Sequence, residues 1–145
     1  MSRIKLDLPD VFVFSTSVKV RVSDLNYGNH LSNDVYLAYL HEARLQFFKS
    51  MDYSEMNLAG SAVIMGDSVI VYKAECFYGD EIKIEVMASN FSKRSFDLFY
   101  KMSKTNDNEL LVAEAKTGMV CYDYLNKKTM NVPIEFIEKV NALLL

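Results

Sequence analysis

The sequence predicts an α+β fold in which one long helix and an antiparallel sheet bury each other. Three observations predict it. Apolar residues recur at helical spacing between Tyr36 and Phe47. Four later stretches, 69–77, 82–88, 96–102 and 111–124, carry the β-branched, aromatic or alternating residues of strands. The segments between those stretches are short, which suits antiparallel neighbours and not the long crossovers of a parallel sheet.

The chain has 145 residues and is read as one domain, 1–145, large enough to close a core without a disulfide or a metal. Apolar residues make up 50% and charged residues 24%, which excludes a disordered, collagen-like or low-complexity chain. Sixteen Lys and Arg against nineteen Asp and Glu leave a net charge of −3 without blocks, so no large nucleic-acid surface is expected. The apolar run from Ala62 to Tyr72 is broken by Gly66, Asp67 and Ser68 and is too short to cross a bilayer. No apolar stretch follows the charges of Met1–Asp7, so no secretory leader is expected. Cys76 and Cys121 both fall in strand-like runs and are expected as buried free thiols in a soluble cytoplasmic protein.

Taken in order, residues 5–14 form a lead-in segment. Val18, Val20 and Val22 alternate with Lys19 and Arg21, the period of a strand with one buried face. Asp24 to Asn29 is a turn-rich loop. Tyr36, Tyr39, Leu40, Ala43 and Phe47 line one stripe of the helix, and Ser32, Asn33 and Asp34 are expected to cap its start. Its other side mixes His41, Arg44 and Lys49 with Leu37, Leu45 and Phe48, more apolar surface than a solvent-facing helix needs, so the helix is expected to be wrapped on more than one side. An irregular stretch, 51–60, follows. Then come the four strands, with turns at Tyr78–Asp80 and Thr105–Asn108, and a short helix after Pro133.

Residues 20–48 read VRVSDLNYGNHLSNDVYLAYLHEARLQFF. This stretch resembles the hotdog-fold acyl-CoA thioesterases of the 4-hydroxybenzoyl-CoA thioesterase type. Their pattern there is a strand followed by D-x-D-x-x-G-H-V-N-N-x-x-Y-x-x-Y-x-E-E-A-R. Asp24, His30, Asn33, Tyr36, Tyr39, Glu42, Ala43 and Arg44 match, and the order of the later strands extends the resemblance over essentially the whole chain. It implies a curved sheet wrapped around the long central helix. It also implies a homodimer joined sheet edge to sheet edge, often doubled to a homotetramer, with its sites at the subunit interface. The substrate would be a thioester of coenzyme A or of an acyl carrier, with no separate cofactor. Two positions depart from the pattern. Asn26 stands where many members carry the catalytic second Asp, and Gly28 lies one place early relative to the family's Gly-His.

Thioester hydrolysis needs a polarised carbonyl and an activated water. Backbone N–H groups at a helix start can supply the first, which nominates Asn33 and Asp34. His30 is the only side chain of the loop with an intrinsic pKa near neutrality; it serves as general base, orients the substrate, or only locks the loop. Asp24 and Asn26, two apart, are expected to point the same way, Asn26 to position water or the thioester oxygen and Asp24 as the remaining carboxylate, with a structural role in the family. Glu42 is either a helix carboxylate doing chemistry or the partner of Arg44. Ser92, Lys93 and Arg94, between two strands, either meet coenzyme A phosphates or form a charged turn. Tyr36, Tyr39, Phe47 and some of the eight methionines are expected to line an apolar acyl pocket. No metal-ligand spacing or Gly-rich phosphate loop occurs.

The leading expectation is therefore a hydrolase acting on medium or long fatty, or aromatic, acyl-CoA, with His30 as base and Asn26 as positioning group. Loss of the usual carboxylate at Asn26 keeps open a silent acyl-CoA or acyl-carrier binding protein. A third reading, an enoyl-CoA hydratase, rests on a loose D-x-N…H echo at Asp24, Asn26 and His30.

Overall fold

The computed structural model describes residues 3–145; Met1 and Ser2, at the start of the segment read for a leader, lie outside the described residues. The elements are β1 (Phe14–Lys19), a 3-10 turn (Val22–Asp24), α1 (Val35–Ser50), β2 (Ala62–Tyr72), β3 (Glu81–Ser89), β4 (Ser95–Lys104), β5 (Leu110–Asp123), β6 (Lys128–Thr129) and α2 (Ile134–Ala142). The sheet runs β1-β3-β4-β5-β2, with β6 paired to β5, and every pairing is antiparallel. Both β1 and β2 are edges. The α+β class and the curved antiparallel sheet around a long helix are those expected.

Alternation builds the sheet's inner face. Ile82, Ile84 and Val86 of β3, Phe96, Leu98, Tyr100 and Met102 of β4, and Ala113 and Ala115 of β5 are all fully buried. Against them α1 presents Tyr36, Tyr39, Leu40, Ala43, Phe47 and Phe48. Each large side chain buried this way stabilises the fold by about 1.5–3 kcal/mol. Truncating Phe47, which meets Phe14 and Phe48, would cost about 3–5 kcal/mol through the cavity it leaves. α1 stops at a left-handed residue, Asp52 (φ 64°), with the Asp52 and Tyr53 amides returning to the Lys49 and Phe48 carbonyls, the paired bonds of a Schellman ending. α2 closes one end of the core by placing Phe136 among Phe48, Tyr53, Phe91 and Phe96.

Several expectations need correction. Val20 and Val22 do not extend β1: the chain turns after Lys19 because the Asp24 carboxylate accepts the Arg21 amide and closes a 3-10 turn. The strand expected at 69–77 begins at Ala62 and ends at Tyr72. Gly66, Asp67 and Ser68, which broke the apolar run, mark a bulge between Met65 and Asp67 on an exposed edge strand. Cys76 is a buried free thiol, but it follows β2 instead of lying in it; Cys121, in β5, is buried and free. Within the chain the cover of α1 extends past its apolar stripe to Arg44 and Phe48 of the mixed side but leaves Leu37 and Leu45 exposed. No side chain caps its start: the Ser32 hydroxyl donates to the Asp34 carboxylate, and the helix has no side-chain cap bond.

Candidate active site

The loop before α1 is a tight turn stitched by its own backbone. The Asn26 amide donates to the His30 carbonyl, and the Asn29 amide to the Asn26 carbonyl, both at 3.0 Å. Asn29 takes a left-handed conformation (φ 64°), which asparagine tolerates better than most residues. The Asn26 side-chain oxygen accepts the Gly28 amide at 2.9 Å. A Cβ at position 28 would lie 3.1 Å from His30 Nε2 and 3.2 Å from Asn26 Oδ1, so the side chains crowd that face of the glycine.

These bonds orient His30. Because Asn26 Oδ1 already accepts a donor, its Nδ2 amide is the group facing His30 Nδ1, at 3.5 Å. Nδ1 therefore accepts, and in the neutral ring the proton sits on Nε2. The imidazole thus presents an N–H.

A second segment joins the loop from the far end of β2. The Leu31 amide donates to the Cys76 carbonyl at 2.8 Å, and His30 pairs with Phe77 in an antiparallel bridge. Between loop, helix start and segment 72–75 lies an open cleft of about 250 Å³, walled by His30, Leu31, Asn33 and Tyr36 on one side and Tyr72, Lys73, Ala74 and Glu75 on the other. The Tyr72 hydroxyl donates to the Asn33 carbonyl at 3.2 Å, and the Tyr36 and Tyr72 rings meet edge to face. Burial, with the nearby Cys76 thiol, pushes the Tyr36 hydroxyl far above the usual tyrosine range, so it stays neutral.

The structure separates residues that the sequence grouped. His30 and Asn33 line the cleft, and Asn26 supports His30 from behind. Asp24 points elsewhere: it is buried, holds Arg21, and accepts the Tyr39 hydroxyl. The two-residue spacing to Asn26 does not align them, because Asp24 ends a 3-10 turn and is not extended. The Asp34 carboxylate accepts the Ser32 hydroxyl, and that bond above all holds it below the usual carboxylate range. Glu42 is exposed and accepts from Gln46, not Arg44. Arg44 is buried and pairs with Glu55 at 3.0 Å and with the Tyr100 hydroxyl at 3.2 Å. Glu55 also takes His41 at 2.8 Å.

Tyr39 and Phe47 are core residues and do not line this cleft, although Tyr39 borders a separate groove together with Asp24 and Glu42. Of the methionines read as candidate lining, Met51 and Met119 are buried, while Met56 and Met65 are exposed at positions outside the cleft. Ser92, Lys93 and Arg94 lie at the other end of the sheet. They precede Ser95, paired with Val120, whereas the cleft adjoins Tyr72, paired with Ala113 and so with Met102. Seven residues of strand, about 23 Å, separate the two within one protomer. Arg94 there donates to Thr129.

Sequence reading missed Tyr72, Lys73 and Glu75, which reach the cleft only through pairing with the 25–31 loop. Glu75 is exposed and is the one carboxylate among the cleft-lining residues; Lys73 stands 3.8 Å from Glu114. Among the described residues no group of three or more His, Cys, Asp or Glu is arranged to hold a metal. No described helix is long and apolar enough to cross a membrane.

The fold has close counterparts among solved structures. A 1,4-dihydroxy-2-naphthoyl-CoA thioesterase from Synechocystis superposes with a TM-score of 0.81 at 21% identity, covering 91% of this chain and 98% of that one. A DHNA-CoA thioesterase from Staphylococcus aureus gives 0.77 at 19% identity, covering 90% and 91%. At these identities the likeness establishes the fold. In sequence, an Aquifex aeolicus (strain VF5) protein provisionally named as an esterase is 28% identical over 129 residues, 88% of this chain and 95% of that protein. The sequence pattern of the thioesterase-like superfamily matches residues 20–140, and the chain belongs to that superfamily.

Proposed function

We propose that the protein hydrolyses an acyl-CoA thioester to the free acid and coenzyme A, in the cleft between the start of α1 and residues 72–75. The observation that carries this reading is one small cleft gathering an imidazole, an exposed carboxylate and a helix start. The carbonyl would lie against the His30 Nε2 proton, with the Asn33 amide and the positive end of α1 beside it, where negative charge develops on its oxygen. Glu75 would take the proton from the attacking water, the role that Asn26 lacks a carboxylate to perform. Water adds to the carbonyl carbon, the tetrahedral species collapses, and the C–S bond breaks. The thiolate takes up a proton and the acid departs. His30 thus acts as a donor in this reading instead of the base expected from its residue type.

Tyr36, Tyr72 and Leu31 make the cleft's apolar lining and support an aromatic or medium-chain acyl group over acetyl. No resident cofactor takes part; coenzyme A belongs to the substrate. The eleven residues of edge strand β2 support a homodimer extended across that edge, which would set a partner's residues beside the cleft, and a homotetramer would double it. Asn26 favours one second reading, a protein that binds acyl-CoA or an acyl carrier without cleaving it. A panel of acyl-CoAs with the released thiol trapped by a chromogenic reagent tests both. Thiol release above the uncatalysed rate supports hydrolysis; tight binding without release supports the silent protein.

A further inference from the structure

A second depression adjoins the cleft along the same strip of chain. Residues 74–79 run from the wall of the His30 cleft, where Ala74 and Glu75 stand, to a groove of about 540 Å³ lined by Lys19, Val20, Arg21, Val22, Tyr78 and Gly79. The Val20 carbonyl accepts the Gly79 amide at 3.0 Å, so β1's end and this strip form the groove's floor. Five residue steps join the two sites, at most about 17 Å. Tyr78 is 69% exposed and Val22 73%, so the groove's lining includes an uncovered aromatic ring and an uncovered apolar side chain. Lys19 and Arg21 stand beside them, both exposed. Arg21 gives Nε and Nη2 to Asp24, which leaves Nη1 outward, while Lys19 has no carboxylate within 4 Å among the described residues, although Glu81 is its cross-strand neighbour.

Ring, cations and distance together describe a recognisable ligand. A planar base stacks on an exposed aromatic face; phosphates pair with Lys and Arg; and a flexible arm of about the length of pantetheine spans the strip. We infer that this groove holds the adenosine 3′,5′-bisphosphate end of coenzyme A, with the adenine between Tyr78 and Val22 and the phosphates at Lys19 and Arg21. This rests on the thioester reading of the neighbouring cleft and names coenzyme A, not an acyl carrier, as the thiol. It also replaces Lys93 and Arg94 as the phosphate contacts within a protomer.

Two measurements test it. Calorimetric titration with adenosine 3′,5′-bisphosphate reads the groove whether or not the protein cleaves a thioester. Binding should weaken about tenfold in Tyr78→Ala, the scale of a lost stacking partner, and severalfold in Lys19→Glu. Kinetics with one acyl group on coenzyme A and on N-acetylcysteamine, which lacks the nucleotide, reads the same contact in turnover. The preference for the coenzyme A ester should fall about tenfold in Tyr78→Ala. No binding by the parent protein, or binding unchanged in both variants, overturns the assignment. So does weakening by Lys93→Ala or Arg94→Ala in their place, or preference for a carrier-protein thioester that neither groove variant alters. Failure of the hydrolase reading shows separately, as absence of cleavage of either ester while nucleotide binding persists.

Discussion

The Tyr39 hydroxyl donates to Asp24 Oδ2 at 2.6 Å, and the same carboxylate holds the Arg21 amide and guanidinium. Helix α1 is thereby tied to the turn that launches the site loop. Burial opposes the charge on Asp24, but the bonds from Arg21 and Tyr39 outweigh it and hold the carboxyl below its usual range. The same contact, after burial, pushes the Tyr39 hydroxyl upward. Asp24→Ala should destabilise the protein by about 1–3 kcal/mol, since it leaves Tyr39 and Arg21 without their acceptor. Tyr39→Phe should cost about 1 kcal/mol or slightly more, and the double variant less than the sum. Chemical denaturation of the four proteins checks this; additive losses would mean the bond carries no coupling.

Acid should expose the same bond. The folded pKa of Asp24 lies below its unfolded value, so its contribution is complete above about pH 4 and disappears as pH falls through the lowered folded value. Between pH 7 and pH 5 this group should change stability little. Denaturation midpoints of parent and Asp24→Asn should converge below pH 4; a gap that stays constant to pH 2 would place the stabilisation elsewhere.

A second network predicts a different asymmetry. Arg44 is buried and linked to Glu55, to Tyr100 and through it to Thr117, so its charge is compensated inside the fold. Removing only the acceptor, in Glu55→Ala, leaves Arg44 short of its counter-charge and should cost about 1–3 kcal/mol, moderated by the partial exposure of Glu55. Replacing Arg44 by Met, while also changing Glu55 to Gln, should recover much of that loss. Melting temperatures of the two variants decide it.

The elements legible in the sequence are those whose signal is local. α1 announces itself through Tyr36, Tyr39, Leu40, Ala43 and Phe47, and β3 through Ile82, Ile84 and Val86, because one buried face imposes a period. β2 is legible only in its last part, 69–72, because its middle, Gly66 to Ser68, is an exposed bulge on an edge and has no such period. In the site, His30 is visible as a residue type. Glu75 is not: its route to the cleft is the bridge between His30 and Phe77, 47 positions apart, and nothing local to Lys73 or Glu75 distinguishes them from ordinary alternation. Similarly, Asp24 and Asn26 share a motif but part company at the 3-10 turn, where Asp24 gives its amide to the Arg21 carbonyl and takes the Arg21 amide on its carboxylate.

Glu75→Gln keeps the shape of the cleft and removes its base. It should lower kcat for a cleaved acyl-CoA by about 100-fold or more and leave KM nearly unchanged. His30→Gln preserves an N–H donor and should lose less activity than His30→Ala. Steady-state kinetics on the three variants check both points. If instead Glu75→Gln is fully active and both His30 variants are equally dead, the imidazole is the base after all.

Asn26→Asp gives the sharpest separation of roles. One carboxylate oxygen can still accept the Gly28 amide, so the loop should keep its fold. The other oxygen then faces His30 Nδ1, which can no longer receive a proton from residue 26 and must bring its own. The negative charge favours the imidazolium in the variant. A doubly protonated ring still donates from Nε2. If His30 acts as a donor, the variant should retain activity and extend the upper range over which the charged donor assists. If His30 acts as base, activity at neutral pH should fall and recover only at higher pH. Proton NMR titration of the ring, set beside the pH–rate profile, follows both. A new carboxylate that raises the rate without moving the imidazole titration would mean that residue 26 itself reaches the carbonyl.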